Sequence, residues 1–213
     1  MNITVVKLGG STADHKEMNV WTAALAGSSL PLVIVPGGGT FADQVRDEQS
    51  RLGFSDAAAH AMAILAMDQF GHVILDRHER LSAARSPEEI ERTLAGGKIP
   101  VWLPSAMAIP ASDIPISWGV TSDSLAAWLA GKLSAQALLL VKQSRAFTAN
   151  DSVADLVARG IVDVHFGTML PAGVDLLIAG PHDAAKAAAT LSSGSLPGVR
   201  ISRAVPDRKA GQQ

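Results

Sequence analysis

The chain has no cysteine, and that one absence excludes disulfides, thiolate zinc ligands and cysteine nucleophiles. An excess of either charge is also missing. Lys and Arg number 18 against 20 Asp and Glu, a formal net charge of -2, so the balance gives no electrostatic reason to expect nucleic acid or a membrane surface as partner. The N-terminus lacks a basic stretch followed by an apolar segment and a small-residue cleavage site. No apolar run approaches the roughly 20 residues needed to cross a bilayer. A soluble, cytoplasmic protein is the expectation. The histidines show no metal-ligand spacing such as H-x-x-x-H with a nearby acid, so no transition metal held by the protein is expected. Ser122 lacks the G-x-S-x-G elbow of a hydrolase.

What is present is a chain of 213 residues, 47% hydrophobic, enough apolar surface for a substantial core. No internal repeat or long linker interrupts it. The expectation is one domain over residues 1–205, with room for two lobes, and a flexible tail over 206–213. Buried strands are expected at Ile3–Leu8, Pro31–Val35, Ile99–Leu103, Ala137–Val141 and Val174–Ala179, with an edge strand at Val199–Ile201. Between them the spacing and caps predict helices at Lys16–Leu25, Phe41–Leu52, Ala57–Leu75, from Ser86-Pro87-Glu88-Glu89 to Gly96, from Ser122 or Asp123 to Leu133, and at His182–Leu191. Ala106–Ile116, rich in Pro and small residues, is expected to be irregular. Strands alternating with helices imply an α/β fold, an open and mainly parallel sheet sandwiched between helices. Ligands of such sheets sit beyond the carboxyl ends of the strands.

Three turns are expected at that edge. The first is Lys7-Leu8-Gly9-Gly10-Ser11-Thr12, where glycines let backbone N–H groups approach an oxyanion and Lys7 can point toward phosphates. Its Lys precedes the glycines, so it is not a Walker A loop; the plain alternative is a glycine turn with Lys7 facing solvent. The second, Pro36-Gly37-Gly38-Gly39-Thr40, has more glycine than a turn requires, which points to close approach by a ligand. Neither turn reads G-x-G-x-x-G. The third, Thr121-Ser122-Asp123-Ser124, groups three hydroxyls around one carboxylate, more than helix capping needs. Arg46 and His60 are candidates for an acceptor pocket, against the simpler readings of a surface Arg and a satisfied helix-end His. Trp118 could wall the site or pack in the core.

These segments carry a resemblance. Val6-Lys7-Leu8-Gly9-Gly10-Ser11, Val35 to Ala42, Val45-Arg46, His60 to Asp68 with Gly71, Leu103-Pro104-Ser105, and Ser117-Trp118 with Thr121 to Leu125 are similar, in order and spacing, to the amino acid kinase superfamily. That superfamily includes aspartate, acetylglutamate and uridylate kinases. Within it the chain resembles the aminomethylfuran phosphate kinases of methanofuran biosynthesis, in one-carbon metabolism. Weaker similarity continues through Val162-Asp163 to Gly180. The resemblance implies a transferase using ATP and Mg2+, with a small phosphorylated substrate as acceptor and a homo-oligomeric assembly. It implies Lys7 and Asp123 as catalytic residues, the lysine neutralising the transferring phosphoryl group and the carboxylate organising lysines. It places nucleotide at Gly9, Gly10, Ser11, Thr121, Ser122 and Lys142, and acceptor at Gly37, Gly38, Gly39 and Thr40, with Arg46 and His60 added as the candidates above. Two departures stand out. A Thr-Asp-Val-Asp-Gly segment common in the superfamily is replaced by Lys142-Gln143-Ser144-Arg145-Ala146, and Phe166–Gly173 carries no lysine. The second catalytic cation is thereby unassigned, with Lys142 the first candidate ahead of Lys132.

Overall fold

A strand covered on both faces favours apolar side chains at every position; two pentapeptides of this chain meet that demand in full, and a third does so except at a threonine and a lysine. The computed structural model describes residues 2–12, without the side chain of Ser11, and 15–203; the tail expected from Pro206 onward lies outside the described residues. Its first half runs β1 (Thr4–Leu8), a 3-10 turn (Gly10–Thr12), α1 (Glu17–Ala26), β2 (Leu32–Pro36), α2 (Gly39–Leu52), α3 (Asp56–Leu75), β3 (Leu81–Ala84), α4 (Pro87–Ala95) and β4 (Ile99–Trp102). The second half runs α5 (Ser105–Ala108), α6 (Ser122–Lys132), β5 (Ala137–Val141), α7 (Val153–Ala158), α8 (Phe166–Met169), β6 (Asp175–Ala179), a 3-10 turn (Pro181–Asp183), α9 (Ala184–Ser192) and β7 (Val199–Arg200). β1, β2 and β5 are buried at all five positions.

The strands form one sheet in the order β3-β4-β2-β1-β5-β6-β7. All neighbours are parallel except β7, which pairs antiparallel with β6 at the edge. The expected α/β sheet is therefore observed. β1 and β5 lie side by side, yet β1 leads through α1 to β2 on one flank and β5 leads to β6 on the other. Connections that part in this way leave a crevice at the carboxyl ends of the two strands. Lys7 pairs in register with Val35 and Leu140 there.

Alternation along β1 sorts its side chains between two cores. Val5 joins a cluster with Val35, Ile64, Met67, Leu125 and Leu140, whereas Val6 and Leu8 join Trp21, Leu25, Ile34 and Phe70 on the other face. By the period of two, Lys7 shares the face of Val5. That is the face where α6 packs on β1.

Four elements depart from the sequence reading. β3 was not expected; its Leu-Ser-Ala-Ala has no β-branched residue and becomes a strand by pairing with β4. α5 gives one regular turn at the head of the segment expected to be irregular. α7, fastened by a capping box between Ser152 and Asp155, and the four-residue α8 were also unassigned. One helix among the described residues, α3, is long and apolar enough by composition to cross a membrane, so the expectation that nothing approaches that length has an exception. Its Ile64, Met67, Phe70 and Ile74 are buried in the two cores of the sheet, and it is interrupted by His60, Asp68 and His72.

Candidate functional site

The two glycine turns meet each other before they meet anything else. A Cβ at Gly37 would lie 2.1 Å from the Gly10 nitrogen, and one at Gly10 would lie 2.2 Å from the Gly39 nitrogen. Gly37 N–H also donates to the Leu8 carbonyl at 2.9 Å. At Gly10 and Gly37 the close approach inferred from the sequence is thus backbone against backbone, and it corrects the reading that ligand contact alone explains the extra glycines. Gly39 has φ +54, a left-handed conformation that favours glycine. Gly38 is crowded by the Ala42 methyl at 2.4 Å from a built Cβ.

Beside this contact sits a buried charge cluster. Thr121 caps α6, its hydroxyl accepting from Asp123 N–H, so Asp123 occupies the first turn with its carboxylate 4% exposed. Lys7 Nζ lies 3.0 Å from Asp123 Oδ1, and Lys142 Nζ lies 2.5 Å from Oδ2. Burial pushes the Asp123 carboxyl up, but the two ammonium groups outweigh it and hold the group below the ordinary carboxylate value. Lys142 is pushed down to about 8, first by burial and then by the charge of Lys7, against the pull of Asp123. Lys7, Lys142 and Asp123 by themselves carry one positive charge in excess, which the Asp163 carboxylate, whose charge also pulls on Lys142, partly offsets. The two ammonium groups line the cavity and Asp163 does not, so the side open to a ligand favours an anion.

Asp163 holds the segment that presents Asp123. Its carboxylate accepts from Thr121 N at 3.0 Å, Thr121 Oγ1 at 2.7 Å, Ser124 N at 3.0 Å, Ser124 Oγ and His165 N at 3.1 Å. The Thr121 hydroxyl proton is therefore committed inside the protein.

The cluster opens on a cavity of about 310 Å³ lined by Lys7, Gly10, Gly38, Gly39, Thr40, Arg46, His60, Thr121, Ser122 and Lys142 among the expected residues. Ala42, Asp43, Ala63, Ile64, Met67, Trp118, Val120 and Leu125 complete it. Gly9, Gly37 and Asp123 are not part of that lining; Asp123 reaches it through Lys7 and Lys142 and Gly37 through Gly10. Trp118 walls the cavity rather than the core. Arg46 lies over the Trp118 ring at 4.5 Å and pairs with Asp43 at 3.0 Å. Burial lowers the His60 pKa, with a hydrogen bond to the Ser117 backbone working the other way. Lys132 is elsewhere, on Asp113 and the Trp128 ring, which leaves Lys142 as the second lysine of the cluster. Sequence reasoning gave Asp163 no role and missed Gln49, whose Oε1 accepts from Trp118 Nε1 at 2.6 Å. Neither contact has a local signal, since the partners are 42 and 69 residues apart. Among the described residues no group of three or more His, Asp or Glu gathers to hold a metal ion.

The depressed Lys142 has a measurable consequence. Its folded-state value lies below that of an unfolded lysine, so between about pH 8 and 10.5 the unfolded chain binds more protons and stability rises with pH. Below that window the cost of the buried ammonium is fully present. The chain has no tyrosine or cysteine to titrate in the same range. Urea unfolding at about pH 7 and about pH 10 should show the wild type gaining, relative to Lys142→Met, on the order of 2 kcal/mol. A difference that does not change with pH would place Lys142 in water.

No family model matches the chain. It is 34% identical over 131 residues to the [5-(aminomethyl)furan-3-yl]methyl phosphate kinase of Methanocaldococcus jannaschii, a match covering 61% of this chain. The matched stretch spans 60% of that curated relative's length. Among solved structures, the uridylate kinase of Archaeoglobus fulgidus superposes with a TM-score of 0.65 at 17% identity, over 95% of this chain and 100% of that one. The UMP kinase of Ureaplasma parvum gives 0.67 at 12% identity, over 94% and 96%. The chain has the fold of these kinases, and its sequence is similar to the furan phosphate kinase, as the motifs suggested.

Proposed function

We propose that this chain, folded as the uridylate kinases are, is an ATP-dependent phosphotransferase acting on a small phosphomonoester. The favoured acceptor is [5-(aminomethyl)furan-3-yl]methyl phosphate, converted to its diphosphate in methanofuran-type cofactor synthesis. The observation that carries the reading is the Lys7–Asp123–Lys142 cluster, two ammonium groups on one buried carboxylate with both lysines lining the cavity. Similarity to a kinase named for that substrate supports the choice of acceptor. Cytoplasmic location, a homo-oligomeric assembly and Mg2+ arriving with the nucleotide belong to the same proposal.

In this reading an oxygen of the acceptor phosphate forms a bond to the γ-phosphorus of ATP as the bond from that phosphorus to the ADP oxygen breaks. The acceptor oxygen is already anionic and needs no strong base. The obstacle is repulsion between two phosphates, and fixed positive charge at the point of transfer lowers it. Lys7 and Lys142 supply that charge, and Asp123 keeps them together before the substrates arrive. Backbone N–H groups of the first glycine turn, with Ser11 and Ser122, serve the nucleotide. Gly38 to Thr40, Arg46 and His60 serve the acceptor, with Gly37 packed behind them on Gly10. Mg2+, where bound, screens the polyphosphate charge.

A second reading follows from the segment Lys142–Ala146, where the superfamily's two acids are missing: a nucleotide- or oxyanion-binding protein without turnover. A coupled ADP-release assay with the furan phosphate, UMP and a carboxylate acceptor separates these. We expect release with the furan phosphate. Release with UMP alone, or with a carboxylate alone, would move the acceptor; ATP binding in calorimetry with no release on any of them would favour the second reading.

A further inference from the structure

The cavity wall contains a flexible cation whose position matters, and the contacts that fix it begin outside the wall. Arg46 is exposed on α2, and a long side chain in that setting loses rotamer freedom when it clamps a ligand. Here its guanidinium is already laid over the Trp118 ring at 4.5 Å. Trp118 lies in the stretch without regular structure between α5 and α6, so no helix or strand ladder holds its backbone. Its polar anchor is the ring N–H, donated to Gln49 Oε1 at 2.6 Å. Gln49 is in turn fixed by its amide, which donates to the Phe54 carbonyl at 3.2 Å and to Asp56 Oδ1 at 2.9 Å. One side chain therefore ties the end of α2, the start of α3 and the tryptophan together.

We infer that Gln49 is a positioning residue for the acceptor site, holding Trp118 so that Arg46 is set in advance against the anionic group of a small phosphomonoester. This rests on the acceptor reading given above, because Arg46 must face the acceptor's phosphate for its placement to matter. Gln49 itself does not line the cavity and acts through the other two. A residue that only stitched α2 to α3 would affect stability alone. A residue that places Arg46 affects the affinity for phosphomonoesters, and only while Arg46 is present.

The probe is phenyl phosphate, a phosphomonoester on a small planar ring, titrated calorimetrically into wild type, Gln49→Met, Arg46→Ala and the double variant. Gln49→Met is expected to weaken binding at least about fivefold, and the double variant to bind no more weakly than Arg46→Ala. Acrylamide quenching of tryptophan fluorescence should rise in Gln49→Met. Trp21 and Trp102 are fully buried and Trp128 is 9% exposed, so an increase reports on Trp118. Unchanged quenching or affinity in Gln49→Met, or a double variant weaker by the product of both single effects, overturns the inference and leaves the kinase reading standing. No binding of phenyl phosphate by the wild type removes the acceptor role of Arg46, and the inference falls with it.

Discussion

Lys7→Met and Asp123→Asn are each expected to lower turnover at least about a hundredfold, some 2.7 kcal/mol of transition-state stabilisation, with the fold retained. The two variants reach that loss by opposite electrostatic routes. Lys7 is the last residue but one of β1, whose other residues are buried in the sheet, and it is itself 6% exposed. Methionine fills nearly the same volume there, so the sheet loses a charge and little packing. Of the two ammonium groups on Asp123 one is lost, leaving an Asp123–Lys142 pair, and the pull of the cavity on an anion weakens. Asp123→Asn does the reverse. It leaves two ammonium groups facing an amide, and Lys142, already pushed down to about 8, is driven further down and sheds its proton.

Those routes predict different pH behaviour, which a bare activity loss does not. In Lys7→Met the repulsion that helps depress Lys142 is gone, so the pH at which residual turnover falls should move up. In Asp123→Asn the attraction opposing that depression is gone, so it should move down. Turnover by ADP release against pH, with thermal unfolding to check the fold, tests both. Unchanged turnover in either variant removes that residue from the mechanism, and shifts of the same sign would mean that the three groups do not titrate as one cluster.

What could be read from the sequence follows the range of the forces involved. β1, β2 and β5 were legible because a strand covered on both faces writes its environment into consecutive residues, Leu32 to Val35 or Leu138 to Val141, and glycines mark where β1 and β2 stop. β3 was not, since Leu81–Ala84 is a strand only because β4 lies beside it. The chemistry of the site was legible through residue types that are costly to bury: a lysine inside an apolar strand, an aspartate at a helix start, a lysine directly after another buried strand. Their meeting at one carboxylate is a tertiary fact, and the resemblance to known kinases pointed to Asp123 where spacing alone did not. Asp163 and Gln49 stayed hidden because each acts on a segment far along the chain. Gln49 sits in a polar run and looks like any solvated residue, and Asp163, between Val162 and Val164, has no side-chain partner close in sequence to mark it. The glycines were half legible. Their excess showed that something comes close, and only the packing revealed that much of it is the other turn.

That packing makes Gly37→Ala a damaging small substitution at the site, outside the charge cluster itself. The reason is distance and not dihedral strain, since Gly37 is absent from the positions with positive φ. An added methyl would sit 2.1 Å from the Gly10 nitrogen and 2.7 Å from its Cα, and backbone atoms cannot swing aside as a side-chain end can. The two turns must separate. Because β1 and β2 are parallel neighbours that run directly into these turns, with Leu8 paired to Pro36, the strain is delivered to the sheet edge that carries Lys7. We expect a stability loss of about 3 kcal/mol together with a large fall in turnover. Gly53→Ala is the control: Gly53 has φ +71 with nothing within 4 Å of a built Cβ, so it pays only the left-handed conformation, about 1 kcal/mol, with turnover kept. Urea unfolding and ADP release on the two variants decide the matter. Equal stability losses would mean that the turns have room to part, and the contact between them would then lose its place as the frame on which the site is built.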